Sequence, residues 1–347
     1  MHAGRSAASN GQEFTMRVTC LTLLFAASLA AQTQTQTFDF ANKPSAAGLK
    51  DVATLLRVVG KLDNVSVDPD TAAVKVTGTA DELAMSAWMM RNLDQPSPSS
   101  DPYLVAGKSD DGIRMFHLTR AAAESPQAVQ EMITVIRTVG DIQKVFVYTD
   151  HSDLVVRGTA TELDFVRSMI GSLDQTPNPQ RAEMTMTPEY HYFSGRRTDT
   201  VRIYYLAHSS TPQQIQEILT NLRTVLDVQK VFNFTPLQAL VLCASPDTVA
   251  AAEWMIRSLD LPADAKTSTR EFTASPSMPG GSSLQVLYPA NLKGTALQQT
   301  LTAVRSNVGI QKAFLKTSPA TLVMRGSADQ ITKADQIVQT ADNAAKP

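Results

Sequence analysis

A pattern that opens at Ile142-Gln-Lys-Val-Phe146 and closes at Leu173-Asp174 recurs along this chain and limits what it can fold into. The opening returns as Val228-Gln-Lys-Val-Phe232 and Ile310-Gln-Lys-Ala-Phe314, and the close as Leu93-Asp94 and Leu259-Asp260. Aligning Gly78, Gly158, Ala244 and Gly326 brings Arg57, Arg137, Arg223 and Arg305 into register without a gap, at offsets of 80, 86 and 82. The same offsets align Leu93, Leu173, Leu259 and Ala341, each followed by Asp. Fixed internal lengths with variable linkers are the mark of one structural unit used repeatedly. The 347 residues therefore divide into a leader, 1–31, and four units at 36–96, 112–176, 200–262 and 283–345.

Within a unit, apolar residues at helical spacing follow a Ser or Thr cap. In the third copy Ile215, Ile218, Leu219, Leu222 and Val225 follow Thr211-Pro212; in the second Val129, Met132, Ile133, Ile136 and Val139 follow Ser125-Pro126. The recurring Arg falls in the last turn, where a cation meets the negative end of the helix dipole. Two short strands come next, Lys144 to Tyr148 and Asp153 to Arg157 in the second copy, around a turn at Thr149-Asp150-His151-Ser152. A second helix opens with a capping box, Thr79 with Glu82, Thr159 with Glu162 and Ser327 with Gln330. A further strand precedes the first helix in each copy (Thr37 to Ala41, Gly112 to Leu118, Val201 to Leu206, Leu284 to Tyr288). The expected fold is α+β: a tandem string of four β-α-β-β-α domains, each a three-stranded sheet with two helices on one face. The segments 95–101, 175–180 and 261–283, rich in Pro, Ser, Gly and Asp, read as linkers between separate domains.

Residues 16–31 carry a basic start, an apolar run and small residues suited to cleavage, so an exported, periplasmic protein is expected, cut near Ala30 or Ala31. The polar stretch before Met16 points to Met16 as the true start. Cleavage also removes Cys20, leaving Cys243 in an apolar strand with neither a disulfide nor a catalytic partner. The apolar run is shorter than the ~20 residues that span a bilayer, so no stable membrane span is expected in the mature chain. A net charge of −2 with dispersed basic residues gives no footprint for nucleic acid or an anionic membrane. His117, His151, His191 and His208 lack metal-ligand spacing, and Gly280-Gly281 has no phosphate-loop context. No catalytic residue, metal or cofactor is expected. Tyr190-His191-Tyr192-Phe193 reads either as a ligand-stacking cluster or as a strand packed onto the next domain.

The stretches Thr211-Pro-Gln-Gln-Ile-Gln-Glu-Ile-Leu219 and Leu154-Val-Val-Arg-Gly-Thr-Ala-Thr-Glu-Leu163, with the closing Leu-Asp and a Pro beyond it, resemble the N-terminal domains of bacterial outer-membrane secretins. The resemblance implies assembly and partner binding without catalysis. The partners it implies are proteins: an outer-membrane secretin, a pilus component or further copies of this chain. It also implies a pore-forming domain after the repeats, whereas this sequence runs to Pro347 after the fourth, so a stand-alone protein built of these modules is expected. The unit is also similar to nucleic-acid-binding KH modules, but their Gly-x-x-Gly loop is missing. A peptide- or glycan-binding protein and a small hydrolase are the competing classes.

Strand alternation picks out an interaction face. In the first unit Val65, Val67, Val74 and Val76 alternate with Ser66, Asp68, Lys75 and Thr77, so the valines face the helices and the polar set faces out. The offsets then place Phe146, Tyr148 and Val155 of the second unit, Phe232, Phe234 and Val241 of the third, and Phe314 and Val323 of the fourth on outward faces. Such a patch requires a cover, either a linker segment of the same chain or another protein surface.

Overall fold

The computed structural model describes residues 33–99, 101–193, 198–265, 267–274 and 283–346. The start at Met16, the cleavage site, Cys20 and Gly280-Gly281 lie outside the described residues. In the first unit β1 (Gln34–Phe38) leads to α1 (Ala46–Val58), β2 (Asn64–Asp68), β3 (Ala73–Gly78) and α2 (Ala80–Leu93). The second unit runs β4 (Tyr103–Leu104), β5 (Gly112–His117), a short α3 (Arg120–Glu124), α4 (Pro126–Val139), β6 (Val145–Tyr148), β7 (Asp153–Gly158) and α5 (Ala160–Leu173). The third contains β8 (Thr185–Met186), β9 (Tyr190–Phe193), β10 (Thr198–Tyr205), α6 (Pro212–Val225), β11 (Lys230–Phe234), β12 (Ala239–Ala244) and α7 (Pro246–Leu259). The fourth contains β13 (Arg270–Thr273), β14 (Ser283–Leu287), α8 (Gly294–Val308), β15 (Ala313–Lys316), β16 (Thr321–Gly326) and α9 (Ala328–Ala344).

The sheets are antiparallel, ordered β1-β3-β2, β4-β5-β7-β6, β8-β10-β12-β11 and β13-β14-β16-β15, with β9 also paired to β10. β13 thus lies inside the segment 261–283 read as a linker, and β4 and β8 lie between the expected units, just beyond 95–101 and 175–180. β4, β8 and β13 each add an edge to the unit that follows, so three sheets are wider than the three strands expected.

Local chemistry explains the recurring residues. The capping boxes form at Thr79, Thr159, Ser327 and also Thr211. A Cβ at Gly158 would lie 2.5 Å from Glu162 Oε2, so glycine precedes the box; in the third unit Thr248 takes the glutamate's place and Ala244 is tolerated. The recurring Arg does more than meet a helix dipole. Arg57, Arg137, Arg223 and Arg305 each donate from Nη2 to the carbonyl of Val65, Val145, Val231 or Ala313, tying the first helix to the strand that follows. The recurring closing Asp accepts backbone N–H groups from the loop before the first helix. Asp94 takes Ala41 and Asn42, Asp174 takes Thr119, Arg120 and Ala121, Asp260 takes Ala207, His208 and Ser209, and Asp342 takes Ala290, Asn291 and Leu292.

The units do not form a string of separate bodies: Thr33–Pro347 is one compact unit. One hydrophobic cluster joins Met132, Ile136 and Phe165 of the second repeat to Phe234, Val241 and Cys243 of the third, and another joins Ile218 and Leu222 of the third to Val323 of the fourth.

Candidate interaction surfaces

The outward-facing residues are covered from within the chain by a surface that strand alternation does not reveal. Helix α1 packs on β6, α4 on β11 and α6 on β15, so each outer sheet face lies on the first helix of the preceding repeat. Tyr148 and Val155 are 2% and 0% exposed, Phe234, Val241 and Val323 all 0%, while Phe146, Phe232 and Phe314 are half-buried against the same clusters. None of the eight is a free docking residue. Among the described residues no such helix lies over the polar face of the first unit: Asn64, Ser66 and Lys75 are exposed, and Thr35 Oγ1 lies 2.7 Å from Thr77 Oγ1 across the strands.

Three polar devices recur at these junctions. First, a carboxylate in the middle of the first helix accepts both the backbone N–H and the hydroxyl of a threonine in the next repeat's hairpin: Asp51 from Thr149, Glu131 from Thr235 and Glu217 from Thr317. Second, Tyr205 and Tyr288 donate to the carbonyls of Ser172 and Ser258 near the end of the preceding repeat's second helix. Third, a positive φ recurs just beyond the first helix at Lys61, Asp141, Asp227 and Gly309, and in the first three repeats the residue there carries a side chain that meets the next repeat. There Asp141 pairs with Lys230, and Asp227 with Lys312.

Arg157 reaches the end of α1, donating to the carbonyls of Val59 and Gly60 while gripping Asp111 with two hydrogen bonds. Arg325 does the same for Val225. The third repeat has Cys243 at this position, and Tyr192 supplies the missing donor: its hydroxyl meets the Gly140 carbonyl at 3.0 Å and its ring packs 4.8 Å from Phe165. Burial, with Glu162 and Asp141 nearby, pushes that hydroxyl up to about 12. The aromatic cluster 190–193 is therefore a strand that pairs forward with β10 and packs backward onto the second repeat.

The ends of the array break these rules. The first unit has Pro69 where the threonines stand, Asn64 where the lysines stand, and Thr77 where Arg157 and Arg325 stand. The fourth has Gln299 in place of the helical carboxylate and Ala303 in place of Leu55, Val135 and Asn221. At these positions a head-to-tail copy would meet neither matched carboxylate nor matched threonine.

The first junction is also imperfect, because Lys61 stands where Asp141 and Asp227 stand and so faces Lys144. Burial lowers the Lys144 pKa first, and the Lys61 ammonium lowers it further. Lys61→Asp exchanges this repulsion for the pair found at the other junctions and puts a residue that tolerates positive φ at a position of φ 60. A gain of about 0.5–1 kcal/mol is expected for a solvent-exposed pair, read as a small rise in the thermal midpoint that shrinks in high salt; a fall would contradict the junction geometry.

One grouping has no signal in the sequence spacing. Asp153, 0% exposed, has His117 Nδ1 at 2.9 Å and His151 Nδ1 at 3.8 Å, because His117 and Asp153 are register partners across β5 and β7. Burial raises the Asp153 pKa against the opposing effect of His117. Among the described residues no set of three or more His, Cys, Asp or Glu side chains is arranged to hold a metal, and no helix is long and apolar enough to cross a membrane.

No protein-family description and no curated protein matches this chain. Among solved structures, it is similar to the N-terminal domain of the secretin XcpQ from Pseudomonas aeruginosa at 13% identity, over 42% of this chain and 63% of that one, with a TM-score of 0.19. It thus spans less than two thirds of that fragment. The secretin GspD of the type II secretion system in E. coli K12 matches at 15% identity over 85% of this chain and 58% of that one, TM-score 0.16. A chain of the a/eIF2alpha-aDim2p-rRNA complex from Pyrococcus horikoshii matches at 12% identity over 42% and 88%, TM-score 0.25. Scores this low give the likeness no weight for function.

Proposed function

We propose that this protein is a non-enzymatic protein-protein interaction and assembly module of the bacterial cell envelope, exported to the periplasm and associated with a secretion or pilus system. The observation that carries the reading is the division of the apolar surface. The sheet faces of repeats two to four are consumed in joining the repeats, which makes four small units into one body and leaves helices and linkers to meet other molecules. A catalytic protein of this length would be expected to converge several polar groups in one deep cleft; here most of the polar groups described above serve caps and junctions, Asp153 with His117 and His151 being the exception. The resemblance of the repeat motifs to secretin N-terminal domains and the leader at 16–31 support the envelope setting. Junctions that are buried and hydrogen-bonded suit a spacer or docking platform that holds a partner at a fixed distance.

In-cell crosslinking followed by affinity purification and mass spectrometry tests the reading. Envelope or secretion components should dominate the crosslinked partners, and fractionation should place the processed chain in the periplasm. Recovery of cytoplasmic partners alone would overturn it. Peptide or glycan binding is the second reading, and the groove on the first repeat described next favours it.

A further inference from the structure

A groove of about 620 Å³ runs along α1 of the first repeat, lined by Leu49, Ala53, Val67, Pro44 and Pro69 with Lys43, Lys50 and Arg57 at its edge. Its origin is visible in the repeat register. The position of Ala53 holds Ile133, Leu219 and Leu301 in the other units, so the first repeat alone lacks a branched aliphatic side chain there. Lys50 likewise replaces Gln130, Gln216 and Gln298. The same unit has therefore lost apolar volume and gained charge at one place, while its core residues Val52, Leu56 and Val59 stay fully buried.

The lining includes three cations and no carboxylate. Of the nearby carboxylates, Asp51 accepts from Thr149 of the second repeat, Asp68 from the backbone of its own turn at Asp70 and Thr71, and Asp150 from the backbone and hydroxyl of Ser45. Lys43 and Lys50 are exposed, whereas Arg57 is held by the Val65 carbonyl and presents the rest of its guanidinium. An apolar floor that lacks one branched side chain, flanked by cations, complements an aliphatic side chain flanked by carboxylates.

We propose that this groove is a docking site for an acidic peptide segment of a protein partner, with one aliphatic side chain inserted over Ala53 and its flanking carboxylates met by Lys43, Lys50 and Arg57. It rests on the protein-interaction reading only for the nature of the occupant, since the groove itself follows from Ala53 and the cations. The probes are fluorescein-labelled pentapeptides with a central Leu and four flanking Glu, the same peptide with a central Gly, and one with flanking Lys, each titrated with the purified protein and followed by fluorescence anisotropy.

The acidic leucine peptide should bind saturably and more tightly than the other two. Ala53→Leu, which restores the side chain present in the third and fourth repeats, should weaken it about tenfold or more without lowering the thermal midpoint. The surface double variant Lys43→Glu, Lys50→Glu, which touches no core residue, should weaken it by a similar factor. Three results would overturn the site: no saturable binding, equal binding of the acidic and basic peptides, or loss in the charge variant with none in Ala53→Leu, which signals adhesion by charge alone. Should crosslinking find no envelope partner while these peptides still bind as described, the cell-envelope reading fails and the groove stands.

Discussion

Replacing both Phe232 and Phe234 with Ser is expected to cost about 4 kcal/mol or more and to split the thermal transition of this protein in two. Truncating a fully buried Phe typically costs about 3–5 kcal/mol. Phe234 is fully buried and Phe232 half-buried, both against α4 and its neighbours in the second repeat. The serine hydroxyls would add polar groups to a face that has few partners for them. What is lost is the junction, because the third repeat's own core lies on the other side of the sheet, where Val231, Leu240 and Leu242 pack on α6 and α7. In an array held by nearest-neighbour contacts, weakening one interface uncouples the blocks on either side while each keeps its own fold. Calorimetry should therefore show repeats one and two melting apart from three and four, and limited proteolysis should open the 175–190 region. A single transition with an unchanged midpoint would mean that this face does not hold the junction.

Why the sequence showed these aromatics without showing their cover is a matter of what periodicity encodes. Alternation along a strand reports which side chains share a face, and it puts Phe146, Phe232 and Phe314 opposite the helix-facing valines. It says nothing of what lies beyond that face. An apolar sheet face by itself suggests a linker or another protein as its cover; the actual cover, the first helix of the preceding repeat, is encoded in the helices and not in the strands. Glu131 and Glu217 recur at one helical position and Thr235 and Thr317 at one hairpin position, but the two sets contact each other only across a repeat boundary, so neither explains itself within one unit.

Other parts were legible for local reasons. Capping boxes, Ser-Pro and Thr-Pro helix starts and the hairpin turns depend on residues within four positions of one another, and these were placed from sequence to within a few residues. The added edge strands β4, β8 and β13 were not, since two to four residues of a Pro- and Ser-rich segment become strand only because an unpaired neighbour offers its hydrogen bonds. The groove over Ala53 is legible in the repeat alignment. A single small residue in a column of Ile and Leu is a missing volume, and the columns that matter are those where one repeat departs from the rest.

The closing aspartate is where the repeats agree most, and Asp260→Ala should be among the most damaging single substitutions in the chain, at about 3 kcal/mol. Asp260 is 4% exposed and accepts from the N–H groups of Ala207, His208 and Ser209 at 2.7–2.9 Å. Alanine strands all three donors, and each buried donor left without an acceptor costs about 1–3 kcal/mol, less where water can reach it. Asp260→Asn keeps one oxygen for His208 and Ser209 but turns an amide NH₂ towards the Ala207 N–H, so it should fall between wild type and alanine. Asp342 does the same work in the fourth repeat. Burial there raises its pKa, yet the N–H groups of Asn291, Leu292 and Ala290 outweigh it and hold the carboxyl below the usual carboxylate value. Because the folded pKa is the lower one, this stabilisation is fully present above the unfolded value of about 4 and is lost as pH falls through the folded value. Acid titration followed by hydrogen exchange should therefore show the loop from Ala290 to Leu292 losing protection below about pH 4, with Asp342→Asn removing that dependence. Retained protection in acid, or an Asp260→Ala variant as stable as wild type, would mean that the loop before the first helix is held by something other than this carboxylate.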